Sequence, residues 1–109
     1  MSSPSKKKGY TFEKQSIDQA VALGLTAERA WGSNGRAKGW HEEVDIMIED
    51  VRIQCKRRRK LAGHMKPGEH VDAQLIREDY GESFMVLPYS LFLQWLRKLK
   101  DVKELLPSS

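Results

Sequence analysis

Residues 42–60 read EEVDIMIEDVRIQCKRRRK. Val44, Ile46 and Ile48 alternate with Asp45, Met47 and Glu49, and Val51, Ile53 and Cys55 alternate with Arg52, Gln54 and Lys56. A period of two marks a strand with one buried face, so the stretch predicts two strands joined at Glu49-Asp50. A turn centred there sets Ile48 opposite Val51, Met47 opposite Arg52, Ile46 opposite Ile53 and Asp45 opposite Gln54. Facing residues on one sheet face have Cβ atoms about 4.5–5.5 Å apart. Asp45 and Gln54 are therefore expected side by side, with Lys56 two residues further along. The opposite face is wholly apolar and must enter a core. Glu-Asp is not the Asn-Gly or Asp-Gly pair that tight hairpins favour, so the register rests on the alternation.

Working towards the N-terminus, Gly32–Glu42 (GSNGRAKGWHE) is rich in Gly and polar residues and reads as a loop, the kind of segment that carries function. Thr26–Trp31 (TAERAW) reads as a short strand before it. From Thr11 as N-cap, the segment FEKQSIDQAVALG places Ile17, Ala20, Val21 and Gly24 on one helical face, with Gly24 as the stop. Glu13 lies four residues before Ile17, at the end of that inward stripe, where a carboxylate is unusual. Residues 1–9 hold Ser, Pro, Lys and Gly and are expected to form a flexible basic tail.

Towards the C-terminus, Leu61–His70 contains two Gly and a Pro and reads as a connection. The segment HVDAQLIREDYG predicts a helix with Val71, Leu75 and Ile76 inward and Gly81 as its stop, and ESFMVLP a short strand ended by Pro88. A last helix is expected from Ser90 as N-cap, carrying Phe92, Trp95, Leu96 and Leu99, before residues 101–109 fray into a tail. The predicted order is helix, strand, hairpin, helix, strand, helix, within one domain over residues 10–100.

A chain of 109 residues is most simply one domain with a modest core. Nineteen Lys and Arg against fifteen Asp and Glu give a formal charge of +4, which favours an anionic partner such as nucleic acid. One cysteine, Cys55, excludes an internal disulfide framework and a multi-thiolate zinc site and fits a reducing compartment. There is no apolar run of bilayer length, and the opening MSSPSKKK lacks the apolar segment of a signal peptide, so a soluble, intracellular protein without a membrane partner is expected.

A metal-dependent phosphodiesterase needs a hard cation held by oxygen ligands, a positioned water and positive charge beside the phosphate. Asp45 and Gln54 offer oxygens on adjacent strands, Lys56 offers the cation, and Glu13 can complete the set from the first helix. The same residues also make the solvated face of a plain two-stranded ribbon. His41, His64 and His70 have no spacing like that of HExxH and read as loop or cap residues. Trp31 and Trp40 flank the glycine loop and read as packing residues, and Trp95 as core or interface.

Glu13, then Asp45, then Gln54-Cys55-Lys56 at the end of a hairpin's second strand resembles the PD-(D/E)XK nuclease superfamily. Within it, the chain is most similar to the archaeal-type Holliday junction resolvases, some of them carried by phages. The likeness spans about Gly9 to Leu96 and lies in TFEKQ, WGSNGR, EEVDI, IQCKRR and FMVLPYSLF. It implies an α/β fold with a restriction-endonuclease-like core, a small central mixed β-sheet flanked by helices. It implies Glu13, Asp45 and Gln54 as ligands of Mg²⁺, with Mn²⁺ as a substitute, Lys56 as the catalytic lysine, and Ser33 close to the scissile backbone. Two departures stand out: Val44 replaces the motif proline, and Gln54 replaces a carboxylate, which removes one negative charge from the site.

The run Lys56–Lys60 continues from the catalytic strand, so Arg57, Arg58, Arg59 and Lys60 are expected to contact phosphates, joined by Arg36 and Lys38 from the loop and by Lys6–Lys8. The resemblance implies a structure-selective endonuclease that resolves four-way (Holliday) junctions, acting as a homodimer in the cytoplasm of a bacterial, archaeal or phage-infected host cell. A related nuclease for flaps or single-stranded DNA, and a DNA-binding module without catalysis, are the alternatives.

Overall fold

The computed structural model describes residues 4–30 and 39–106. The chain is mixed α/β, with two helices and two small antiparallel sheets. It divides into two compact units, Met1–Arg57 and Arg58–Ser109.

The first unit is built on α1 (Pro4–Ala22), β1 (Ala27–Arg29), β2 (Ile46–Ile48) and β3 (Val51–Ile53), the strands ordered β1-β2-β3. The helix starts at Pro4, seven residues before the expected cap at Thr11, so residues 4–9 are helical rather than tail. Proline is well suited to a first helical turn, whose N–H groups lack partners in any case, and lysine is a good helix former. The helix ends where expected. Gly24 takes φ +80°, its N–H donates to Val21 O at 2.9 Å, and Leu25 N–H donates to Ala20 O at 3.1 Å. That pair of bonds is a Schellman cap, which needs a left-handed residue and so favours glycine. Leu25, just beyond the cap, is buried.

The inward face of α1 carries Glu13, Ser16 and Ala20, with Ile17 half-buried and Val21 exposed. The stripe is therefore rotated from the expected one towards polar residues. Ser16 is accommodated because its hydroxyl donates to Phe12 O at 2.7 Å, one turn back. Against this face pack β1 and β2. Ala20, Leu25, Ala30, Val44, Ile46 and Ile48 form the core, and Ile46 and Ile48 are fully buried. Each such isoleucine contributes about 1.5–3 kcal/mol from the area removed from water.

The hairpin register is as the alternation predicts: Ile48 pairs with Val51, Met47 with Arg52 and Ile46 with Ile53. On the other edge of β2, Ala27 pairs with Ile48, Glu28 with Met47 and Arg29 with Ile46. Glu49 takes the first turn position at φ +52°, and its carboxylate accepts the Thr26 N–H at 2.5 Å.

In the second unit, β4 (Gln74–Arg77) and β5 (Ser83–Val86) pair antiparallel, with Gln74 opposite Val86 and Arg77 opposite Ser83. The expected helix over Val71–Gly81 is thus a strand and a turn. Gln74, Leu75, Ile76 and Arg77 alternate half-buried and exposed, and the partner strand supplies the hydrogen bonds that a helix would have supplied internally. Both sheets are antiparallel, so the expected central mixed sheet is not formed by the described residues. A short 3₁₀ turn, Gly63–Met65, lies within the connection before β4.

The last helix, α2 (Tyr89–Leu105), has Pro88 at its N-cap and no side-chain cap bond, so Ser90 lies inside the helix rather than capping it. It runs through residues 101–105, which were expected to fray. Leu93 is its buried residue, while Trp95 and Leu99 are about half exposed. No helix among the described residues is long and apolar enough to cross a membrane.

Candidate metal centre and cationic strand end

Asp45 sits just before β2 and is fixed from two sides. Its carbonyl accepts the Ala30 N–H and its own N–H donates to Ile53 O, each at 2.9 Å. Ile53 is already the partner of Ile46, so two residues of one strand meet one of the other, as in a β-bulge. A bulge re-aims a side chain. The Asp45 carboxylate therefore accepts the Cys55 N–H, at 2.7 Å to Oδ2, instead of lying across the ladder from Gln54. The expected Asp45–Gln54 pairing is corrected accordingly: the ladder stops at Ile53.

Glu13 approaches from α1 and is only 5% exposed. An ionised carboxylate so deeply placed needs a charged or hydrogen-bonding partner, and Arg29 of β1 provides it, Nε to Oε2 at 2.6 Å. The guanidinium also lies over the Tyr10 ring, 4.5 Å from its centroid. Cys55 registers how these groups converge. Burial pushes its thiol up first, and the Asp45 and Glu13 carboxylates add to it, from the ordinary 9.0 to about 11. Cys55 lies two residues beyond β3, in the segment that leads into Lys56.

The remaining predicted residues are distributed differently. Gln54 and Lys56 are exposed. Gln54 lines a shallow depression of about 370 Å³ with His41, Glu43, Val44, Arg52 and Ile53. His41 accepts the Glu43 N–H on Nδ1 at 3.1 Å, which matches its reading as a loop residue. Arg57, Arg58, Arg59 and Lys60 are all exposed; Arg57 closes the first unit and the others open the second. Ser33, Arg36 and Lys38, with Trp31, lie outside the described residues, and the side chains of Lys6–Lys8 do as well.

Among the described residues, no three His, Cys, Asp or Glu side chains are grouped to hold a metal by themselves. Magnesium does not require such a cage, because it commonly binds through one or two carboxylates and completes its octahedron with water and substrate phosphate. The carboxylate oxygens of Glu13 and Asp45 are of the hard type that this cation selects, while Gln54 is exposed and lines the separate depression with His41 and Glu43. The donor chemistry fits, with one complication: an oxygen of Glu13 is already engaged by Arg29.

Sequence reading passed over Arg29 and Arg52. The signal for Arg29 was its place in a strand beside the glycine loop. Its link to Glu13 joins residues 16 apart, which no local pattern encodes. Comparison of the chain with protein-family models, curated proteins and solved structures returns no match.

Proposed function

We propose that this chain is a divalent-metal-dependent DNA endonuclease acting on branched DNA, four-way junctions above all. The observation that carries the reading is geometric: the Asp45 carboxylate accepts the Cys55 N–H at 2.7 Å, and the Asp45 carbonyl accepts the N–H of Ala30, next to the Arg29 that holds the buried Glu13. From Cys55, two residues beyond β3, the chain runs directly into Lys56 and Arg57. In this reading Asp45 and Glu13 hold Mg²⁺, or Mn²⁺ in its place, with the Gln54 amide oxygen available from the neighbouring strand end. A cation held by these residues would supply Lewis-acid polarisation of the scissile phosphate and a more acidic attacking water.

The protein's own groups do the rest. Asp45 is held by three hydrogen bonds, so its carboxylate needs little reorganisation to bind. The Lys56 ammonium follows Cys55 immediately and offsets negative charge on the phosphate under attack. Arg57, Arg58, Arg59 and Lys60 take flanking phosphates. Ser33, Arg36 and Lys38 would extend that surface from the loop. Paired cuts across a junction call for two such sites, hence a homodimer.

A DNA-binding module without catalysis is the second reading, favoured by the engaged Glu13 and by an amide at Gln54. Incubation of synthetic four-way junction, flap and linear duplex, each with Mg²⁺ or EDTA, separates the possibilities. Metal-dependent cleavage restricted to the junction is the expected result. Preferential cleavage of flaps would shift the substrate class, and tight binding without cleavage would favour the module. Asp45→Asn should abolish cleavage while junction binding stays within a few-fold, because it removes a ligand and no phosphate-binding cation. Joint loss of binding and cleavage would assign Asp45 a structural role.

A further inference from the structure

Glu13 faces two demands. In the cation-free chain its buried carboxylate needs a positive partner; in the proposed enzyme the same carboxylate must face a divalent cation. Arg29 meets the first demand at 2.6 Å. A guanidinium left in that position would oppose an incoming cation, since like charges at such distances repel strongly away from bulk water. The second contact of Arg29 relieves the conflict. Its guanidinium already lies 4.5 Å from the Tyr10 ring centroid, and an aromatic face is a resting place for a cation that has no carboxylate.

We propose that Arg29 is the resident counter-cation of this site: it holds Glu13 in the metal-free chain and, when a divalent cation binds, releases Glu13 while keeping the Tyr10 face it already occupies. Arg29 is then a positioning residue that sets the affinity for metal. The inference rests on the phosphodiesterase reading and deepens it. Its geometry is favourable, because Arg29 is paired with Ile46 while the next residue, Ala30, donates to the Asp45 carbonyl. The competing cation is therefore carried on the strand that also anchors the second carboxylate. Because coupling is reciprocal, whatever Arg29 takes from metal affinity the metal takes from the Arg29–Glu13 pair.

The test uses the full chain and Mn²⁺ as the probe, with Kd from calorimetric titration and Tm recorded in EDTA and in saturating Mn²⁺. Arg29→Met keeps an apolar stem and removes the charge. It should lower Tm in EDTA, recover more on metal addition than the wild type, and bind Mn²⁺ about tenfold more tightly. Arg29→Lys, which keeps the charge, should stay near wild-type affinity. Tyr10→Leu removes the resting place and leaves the ion pair, so it should bind Mn²⁺ more weakly. Equal loss of Tm by Arg29→Met in EDTA and Mn²⁺, with unchanged Kd, would make the pair purely structural and overturn the inference. If Arg29→Met does not fold, Tyr10→Leu decides, and a wild-type Kd in that variant overturns it. A wild-type chain that shows neither heat nor a Tm rise with Mn²⁺ would overturn the phosphodiesterase reading, and this inference with it.

Discussion

Asp45 links three segments through one residue: Ala30 on its carbonyl, Ile53 on its N–H and Cys55 on its carboxylate. Replacement by alanine would leave the Cys55 N–H without its acceptor, a loss of about 1–3 kcal/mol where water cannot substitute. Asparagine retains an acceptor oxygen, which is why Asp45→Asn is the cleaner probe of chemistry. Cys55 gives a second prediction. A thiol raised to about 11 is protonated at pH 8, with roughly a hundredfold less thiolate than an ordinary cysteine and correspondingly slow modification. Disulfide-exchange labelling of the metal-free chain should be slow when folded and fast in denaturant, and equal rates would contradict the environment described. The folded value lies above the unfolded one, so the protonated thiol stabilises the fold fully below pH 9. That contribution is lost as pH rises from 9 towards 11. Stability measured by urea titration should accordingly fall across that window.

Helix and hairpin segments carry local costs that can be removed. Gly9 lies within α1, and a Cβ placed on it would meet nothing within 4 Å. Gly9→Ala should therefore stabilise the chain by about 0.5–1 kcal/mol, through helix propensity and reduced freedom of the unfolded state. Tyr80, in the turn between β4 and β5, has φ +61° and a side chain wholly in solvent. Tyr80→Gly gives up little packing and relieves about 1–2 kcal/mol of left-handed strain, offset in part by the greater freedom of glycine when unfolded. A net gain in Tm is expected. In contrast, Ile48→Ala opens a cavity in the sheet that packs against α1 and should cost about 2–5 kcal/mol. Denaturant titrations of the three variants check all three signs.

For the whole molecule, charge sets the prediction. A formal +4 is modest, yet Lys56–Lys60 concentrates five cations in a row, all exposed. If they meet DNA phosphates, replacing Arg57, Arg58 and Arg59 with alanine should weaken junction binding and flatten its dependence on salt. The expected change is about one unit of logarithmic slope per lost contact. Binding isotherms at several salt concentrations measure this directly, and an unchanged slope would mean that the run faces away from DNA.

The hairpin register and the stop at Gly24 were legible because each is encoded within a few residues. Alternation over Val44–Lys56 selects one face for the core, a one-residue slip would turn every isoleucine outward, and Gly24 alone tolerates the left-handed cap at low cost. The segment Val71–Gly81 was not legible in the same way. Val71, Leu75 and Ile76 fit a helical stripe, while Gln74–Arg77 fits a strand, and a run this short satisfies both periods. Pairing with Ser83–Val86 settles it. The direction of the Asp45 carboxylate and the capture of Glu13 by Arg29 depend on a bulge and on a contact between helix and strand. The sequence singled out Glu13 and Asp45 as unusual carboxylates; only the packing of α1 on β1 and β2 and the pairing of β2 with β3 decided what each of them holds, because a side chain's partner is set by where separate elements meet and not by spacing along either one.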